Sequence, residues 1–386
     1  MTESHGIDLE SPASDERPLR VALVSTEAGW YGGERQCYLL ATILREKGHS
    51  CTAFVRKDGE LAKRLEAAGV PIVTFRGRGR DPLSLMSIRR ELKRFDPDVI
   101  QFNDGQAMNS GLAASLGLPA LKIASRRVDF PIRSVSRYKH GVDLVFCVSE
   151  AIKEVCVGLG IPGSMVRVVA EGVDPGRMEE GDREAGRTSL SISEDVPLLL
   201  TVARISLHKG HEFLVDAMKD VAARRPDVVL ALAGEGNLFE LVRQQVSELG
   251  LSENIRFLGF RNDVPDLMKA ADLFILPSVM EGLGTSVIDA MFAKCPIVTT
   301  EAGGIPELVR QREGEEGPCA WLVPAGDADA LRDAILDALR DKEECRKRSE
   351  RAMERANREF TAEAMVERTL SAYREAVSGQ VPEIRK

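Results

Sequence analysis

Residues 272–300 read DLFILPSVMEGLGTSVIDAMFAKCPIVTT, and this stretch decides the fold. The apolar run LFILPS is short enough for a buried strand. TSVIDAMFA carries the denser apolar pattern of a packed helix, and CPIVTT returns to a β-branched run. Strand, turn, helix, strand is a β-α-β unit, which lays its two strands parallel. The turn raises a second question. A strand-to-helix turn needs one glycine, yet here Gly282 and Gly284 both appear, with carboxylates at Glu281 and Asp289 around them.

The same unit recurs outward in both directions. Upstream lie PLLLTVA (197–203), DVVLALAG and NIRFLG, separated by helical patterns, and downstream lies CAWLVP (319–324). An earlier train starts at RVALVST (20–26) and runs through CTAFVR, PIVTF, DVIQF, ALKIAS, DLVFCVS and MVRVVA. Ser149 reads as the N-cap of the helix EAIKEVCVGLG. Residues 171–196 (EGVDPGRMEEGDREAGRTSLSISEDV) break the rhythm. The expected fold class is therefore α/β, with two Rossmann-like doubly wound domains facing each other across a cleft. The expected divisions are a disordered polar tail over 1–17, an N-terminal domain over 18–180, a linker over 181–196 and a C-terminal domain over 197–360. A charged helix over 361–386 is expected to return to the N-terminal domain. At 386 residues the chain exceeds what one core usually supports, which agrees with two domains.

Composition excludes several classes. The first 17 residues have neither the apolar core of a secretory signal nor the character of a transit peptide, and no apolar run approaches a membrane span. The seven cysteines are scattered without a C-x-x-C pair, as suits reduced core thiols. The net charge of −8 argues against nucleic-acid binding, although residues 20–140 hold 21 Lys/Arg against 12 Asp/Glu. Neither G-x-G-x-x-G after a strand nor G-K-[ST] occurs, which disposes of dinucleotide oxidoreductases and P-loop kinases.

In doubly wound sheets ligands sit at the carboxyl ends of strands, so the loops there carry the chemistry. After the first strand, Gly32–Gly33 leads at once into a helix, a compact place for an anion; a plain tight turn would use the same pair. Arg204 and Lys209, in VARISLHKGHEF, can reach one point from two directions, with a guanidinium fork and a compact ammonium. Gly234 and Gly236 in AGEGN let a backbone approach a ligand, or simply make a turn. Phe260 and Arg261 can flank a flat base. The N–H groups of Gly282, Leu283, Gly284 and Thr285 converge at a helix N-terminus as an anion nest. Glu281 and Asp289 on either side accept from hydroxyls. Hydroxyls at both ends with a diphosphate between describe a nucleotide-sugar.

On these residues the sequence resembles the retaining nucleotide-sugar glycosyltransferases of family 4, with GT-B architecture. The resemblance spans residues 20–375 and rests on YGGERQ (31–36), VSEAIKE (148–154), EGVD (171–174), ARISLHKG (203–210), AGEG (233–236) and EGLGTSVIDAMFAKCPIVTTEAGGIPELV (281–309). It implies that Gly32 and Gly33 approach the donor phosphates, and that Arg204 and Lys209 bind the diphosphate and neutralise the leaving group. Glu281 then contacts sugar hydroxyls and Asp289, in place of the family's usual Glu, the ribose. It implies transfer of a hexose-type sugar to an acceptor hydroxyl in cell-surface glycan or glycolipid biosynthesis, with no cofactor and no metal, since no D-x-D motif appears. Two family histidines are absent: FNDG (102–105) and ASRRVDFP (124–131) stand there instead. Asn103, Asp104, Arg126 and Arg127 are then the acceptor-side candidates, suited to an anionic acceptor.

The expected partners are the nucleotide-sugar donor and a glycan or lipid-linked acceptor, with no nucleic acid. The stretch 76–94 holds seven Arg/Lys against Asp81 and Glu91. It implies peripheral contact with an anionic membrane, at the inner face, for a protein otherwise cytoplasmic; a solvated helix face is the plainer reading. A nucleotide-sugar epimerase and a non-catalytic nucleotide-sugar-binding protein remain the alternatives.

Overall fold

The structure is a computed structural model that describes residues 17–128, 132 and 134–379. Except for Arg17, which pairs with Asp98, the tail expected over 1–17 lies outside the described residues.

The first seven strands are β1 (Arg20–Ser25), β2 (Ser50–Arg56), β3 (Ile72–Phe75), β4 (Val99–Phe102), β5 (Leu121–Arg126), β6 (Leu144–Cys147) and β7 (Val166–Val168). They form one parallel sheet in the order 3-2-1-4-5-6-7. A second parallel sheet holds β8 (Leu198–Val202), β9 (Val229–Ala233), β10 (Ile255–Gly259), β11 (Leu273–Leu276), β12 (Ile297–Thr300) and β13 (Trp321–Val323), in the order 10-9-8-11-12-13. Helices cover both faces of each sheet, which is why β6 (LVFC) and β11 (LFIL) read as unbroken apolar runs and are buried throughout.

Strand order reverses between β1 and β4 in one lobe and between β8 and β11 in the other. Ligand crevices of doubly wound sheets open at such reversals. The loops leaving these four strands are those that hold Gly32–Gly33, Asn103–Asp104, Arg204–Lys209 and Glu281–Gly284.

The linker expected over 181–196 is not a linker. It contains the helix Arg183–Leu190, capped by Asp182 and packed against the helix Val264–Ala270 of the C-terminal lobe. A Cβ at Gly186 would stand 2.4 Å from the carbonyl oxygen of Asp266, and the buried Arg187 pairs with Asp272 at 2.7 Å. Charged, glycine-bearing residues concealed this helix because its glycine is needed for close packing and its arginine is buried only as half of an ion pair.

The chain crosses between lobes at Val173 and again at Thr361, and the two crossings lie side by side. Val173 N–H donates to the Phe360 carbonyl, and Ala362 N–H donates to the Val173 carbonyl, each at 2.9 Å. Beyond the second crossing, helix Ala362–Val377 sits in the N-terminal core, with Val366, Leu370 and Tyr373 buried among Leu23, Leu44 and Phe146. The seven cysteines are all unbridged.

Candidate functional site

The C-terminal lobe contributes three interlocked loops. Val279 and Met280 donate N–H bonds to the His208 carbonyl at 2.9 and 3.1 Å, tying the loop after β11 to the loop after β8. That tie brings Lys209 Nζ onto Glu281 Oε2 as a direct ion pair, both side chains largely buried. Ser278 Oγ donates to the same carboxylate oxygen at 3.2 Å. Arg204 stays exposed and lies over the ring of Tyr31 from the other lobe, 5.8 Å from its centroid. Gly234 and Gly236 have a structural reason of their own: a Cβ on either would stand 1.9 Å from a carbonyl oxygen of the Ala203–Ile205 loop.

The paired glycines of the opening stretch do different jobs. Gly284 takes φ of 96° as the N-cap of helix Thr285–Phe292, a conformation that glycine adopts without strain. Gly282 is small because the N-terminal lobe comes against it. A Cβ there would meet the Arg127 carbonyl oxygen at 2.0 Å, and the Gly282 carbonyl accepts a bond from Ser149 Oγ at 2.7 Å. Ser149 also caps its own helix, Glu150–Gly158, by accepting from Ile152 N–H. Glu307 reaches across from the C-terminal lobe and accepts from Glu150 N–H and Ala151 N–H, both at 3.0 Å. The lobes are thus closed on each other, with Gly32 beside the Thr285 hydroxyl.

A cavity of about 530 Å³ opens between them. Ala203, Arg204, Gly234, Gly236, Phe260 and Arg261 line its C-terminal wall, while Trp30, Tyr31, Arg35 and Arg64 line the N-terminal wall. Phe260 is 57% exposed there, free to lie against a flat ring, and Arg261 is steadied by Asp263 and Ser189. Asp289, only 5% exposed, sits behind the wall between two arginines that line the cavity: Arg177 at 3.4 Å and Arg35 at 3.8 Å. Burial lowers the Arg35 pKa from its ordinary value, with Asp289 opposing that shift.

Sequence reasoning missed the N-terminal wall. Tyr31 and Arg35 belong to YGGERQ, where the glycines drew attention; the aromatic before the pair and the arginine two residues after it were the available signals. Leu283, expected to offer its N–H to an anion, is buried at the turn.

The acceptor-side residues are arranged differently from the expectation. Asp104 is spent on structure: it caps helix Gly105–Ala114 through Gln106 and Ala107 N–H, and accepts from Thr26 N–H and Oγ at 2.7 and 2.8 Å. Asn103 is buried and accepts from Gln101 Nε2 at 3.0 Å. Arg127 donates to the Asn103 carbonyl at 2.8 Å and pairs with buried Glu171 at 3.1 Å. Arg126 lies beside the buried Tyr138. Burial pushes the Glu171 carboxyl up to about 7, Arg127 holds it down, and the nearby Glu281 raises it again. Asn103, Asp104 and Arg127 therefore brace the lobe through contacts within it.

Comparison with known proteins agrees with this geometry. Residues 30–177 match Glycosyltransferase Family 4, and residues 182–355 match Glycosyl transferases group 1. The chain is a family 4-type glycosyltransferase of GT-B architecture. It is similar to the lipopolysaccharide core biosynthesis glycosyltransferase LpsE of Rhizobium meliloti, at 28% identity over 87% of this chain and 94% of that one. It also resembles the 2-deoxystreptamine glucosyltransferase of Streptomyces kanamyceticus, at 27% identity over 72% and 80% of the two chains. Among solved structures, HepE of Anabaena in complex with UDP superposes with a TM-score of 0.80 at 21% identity, covering 92% of this glycosyltransferase and all of that chain.

Proposed function

We propose that this glycosyltransferase moves a hexose-type sugar, with retention and without a metal, from a nucleoside-diphosphate sugar to an acceptor hydroxyl in lipopolysaccharide or polysaccharide biosynthesis. The observation that carries the reading is the Lys209–Glu281 pair, made by the same two loops that carry Arg204, which lines the cavity, and Gly284, the N-cap of helix Thr285–Phe292. Similar proteins support the substrate classes: HepE was solved with UDP-glucose, and LpsE is named for lipopolysaccharide core biosynthesis.

In this reading the base lies against Phe260 and the ribose hydroxyls reach Asp289. The diphosphate draws on Arg204, Lys209 and the helix N–H groups. The bond between the sugar's C1 and the phosphate oxygen breaks, and the acceptor oxygen bonds to C1 from the same face. The acceptor's proton passes to the departing phosphate oxygen. Fixed cations stabilise the negative charge as it develops. Glu281 orients the sugar through its hydroxyls. No cofactor takes part.

The acceptor is a glycan or a lipid-linked glycan, met by a cytoplasmic enzyme that touches the inner face of the membrane. Helix Pro82–Phe95 supports that placement: it buries Ile88 and Leu92 and turns Leu83 and Met86 outward, 79% and 69% exposed, among the arginines of the basic stretch. No helix among the described residues is long and apolar enough to cross a membrane.

The test is ¹H NMR of UDP-glucose turned over slowly to water by the enzyme in EDTA. Early release of α-glucose is expected. β-Glucose as the first product would overturn retention, and turnover restored only by magnesium would overturn metal independence.

A further inference from the structure

Surface arginines of the C-terminal lobe are commonly matched by carboxylates: Arg225 by Asp227, Arg243 by Glu240, Arg310 by Glu301 and Arg346 by Glu343. The rim of the N-terminal lobe departs from this pattern. Arg80, in the loop after β3, donates to Gln106 Oε1, and Arg137, on the helix Val135–His140 after β5, donates to Asn109 Oδ1. Both partners are neutral amides. Asn109 Nδ2 in turn donates to Gln106 Oε1 at 3.4 Å, completing a chain from one arginine to the other across a single helical turn. Neither arginine has a carboxylate partner among the described residues.

An amide fixes a guanidinium without cancelling its charge. Two exposed guanidiniums held in this way present a fork-shaped cationic surface suited to phosphate oxygens. All four residues lie on segments that follow the carboxyl ends of β3, β4 and β5, the end at which doubly wound sheets open their ligand crevices. With Arg127 committed to Glu171 and Asn103, and Arg126 set beside Tyr138, the exposed guanidiniums of Arg80 and Arg137 bring cationic charge to this rim. We propose that Arg80 and Arg137, bridged through Gln106 and Asn109, form a subsite for a phosphate group on the acceptor. This rests on the glycosyl-transfer reading and extends it to the acceptor's chemical class. Exposed Leu83, three residues beyond Arg80, admits a phosphate carried on a lipid as well as one on a free sugar.

The full chain, saturated with UDP, is titrated with glucose 6-phosphate and with glucose, and is separately sedimented with phosphatidylcholine vesicles with and without phosphatidylglycerol. Wild type is compared with Arg80→Gln/Arg137→Gln. Both sites are exposed, so the double variant is expected to keep the wild-type Tm, checked by circular dichroism. Glucose 6-phosphate binding at least about tenfold weaker in the variant, with glucose inert, supports a soluble phosphate acceptor. Loss confined to the phosphatidylglycerol vesicles supports a lipid-borne phosphate. Equal binding by wild type and variant to both anionic probes, or no binding by either protein, overturns the subsite. If UDP itself fails to raise the Tm of wild type, the donor reading fails instead, and the anion titrations repeated without UDP still decide the subsite.

Discussion

At the residue scale, the site divides into side chains on the loops after β8 and β11 and side chains that brace the N-terminal lobe. Lys209 belongs to the first group. Replacing it with Ala removes one charge-assisted contact to the leaving diphosphate, for which turnover should fall by roughly tenfold to a hundredfold in a steady-state assay. Glu171 belongs to the second group and has a pH signature. Its carboxyl is raised by burial to about 7, so its contribution to stability is complete below about 4.5 and is lost as pH rises through 7. Buried His211, lowered to about 4, acts in the opposite sense: its contribution is complete above about 6.5 and lost as pH falls through 4. Because His211 is common to both proteins, urea titrations of wild type and Glu171→Gln isolate the first effect. The stability difference between them should shift in favour of wild type on going from pH 8 to pH 5; a pH-independent difference would remove Glu171 from the account. The placement of Arg204, Lys209 and Glu281 on the loops after β8 and β11 was legible, because each follows directly on an apolar strand run. Glu171 was not, since only the fold brings it to Arg127, 44 positions earlier in the chain.

At the element scale, the strands were the most readable feature, because a sheet covered on both faces writes each strand as an unbroken apolar run. Helix Arg183–Leu190 was the least readable, being polar outside and held by an ion pair inside. The docking between helix Glu150–Gly158 and the Glu281–Gly284 turn was invisible for another reason: Ser149 was legible as a cap, but its second bond, to the Gly282 carbonyl, spans the two lobes. Two substitutions test this joint. Gly282→Ala places a methyl 2.0 Å from the Arg127 carbonyl oxygen, so the lobes must part; turnover should drop by at least about tenfold while UDP still raises the Tm. Ser149→Ala removes a cap worth about 1 kcal/mol and should lower the unfolding free energy by at least that much in urea. An unchanged midpoint would contradict the cap.

At the scale of the whole molecule, two sheets with reversals in strand order face each other, and the chain crosses between them twice at adjacent points. Helix Ala362–Val377 makes the second crossing structural, because Tyr373 is buried against Phe146 and hydrogen-bonds Gln101. Tyr373→Ala should destabilise the N-terminal lobe by roughly 3–5 kcal/mol, read by chemical denaturation. The two-domain plan followed from chain length and the repeated β-α-β rhythm, whereas the cavity wall built from Trp30, Tyr31, Arg35 and Arg64 depends on how the lobes meet. The central claim is that this wall and the Lys209–Glu281 pair enclose a nucleotide-sugar. Its most direct test is a thermal-shift panel of UDP-, GDP- and ADP-sugars, without metal, against wild type and Lys209→Ala. The account predicts that one nucleotide series raises the wild-type Tm and that the variant loses most of that shift. No shift from any donor, with or without magnesium, or an equal shift in both proteins, would contradict it.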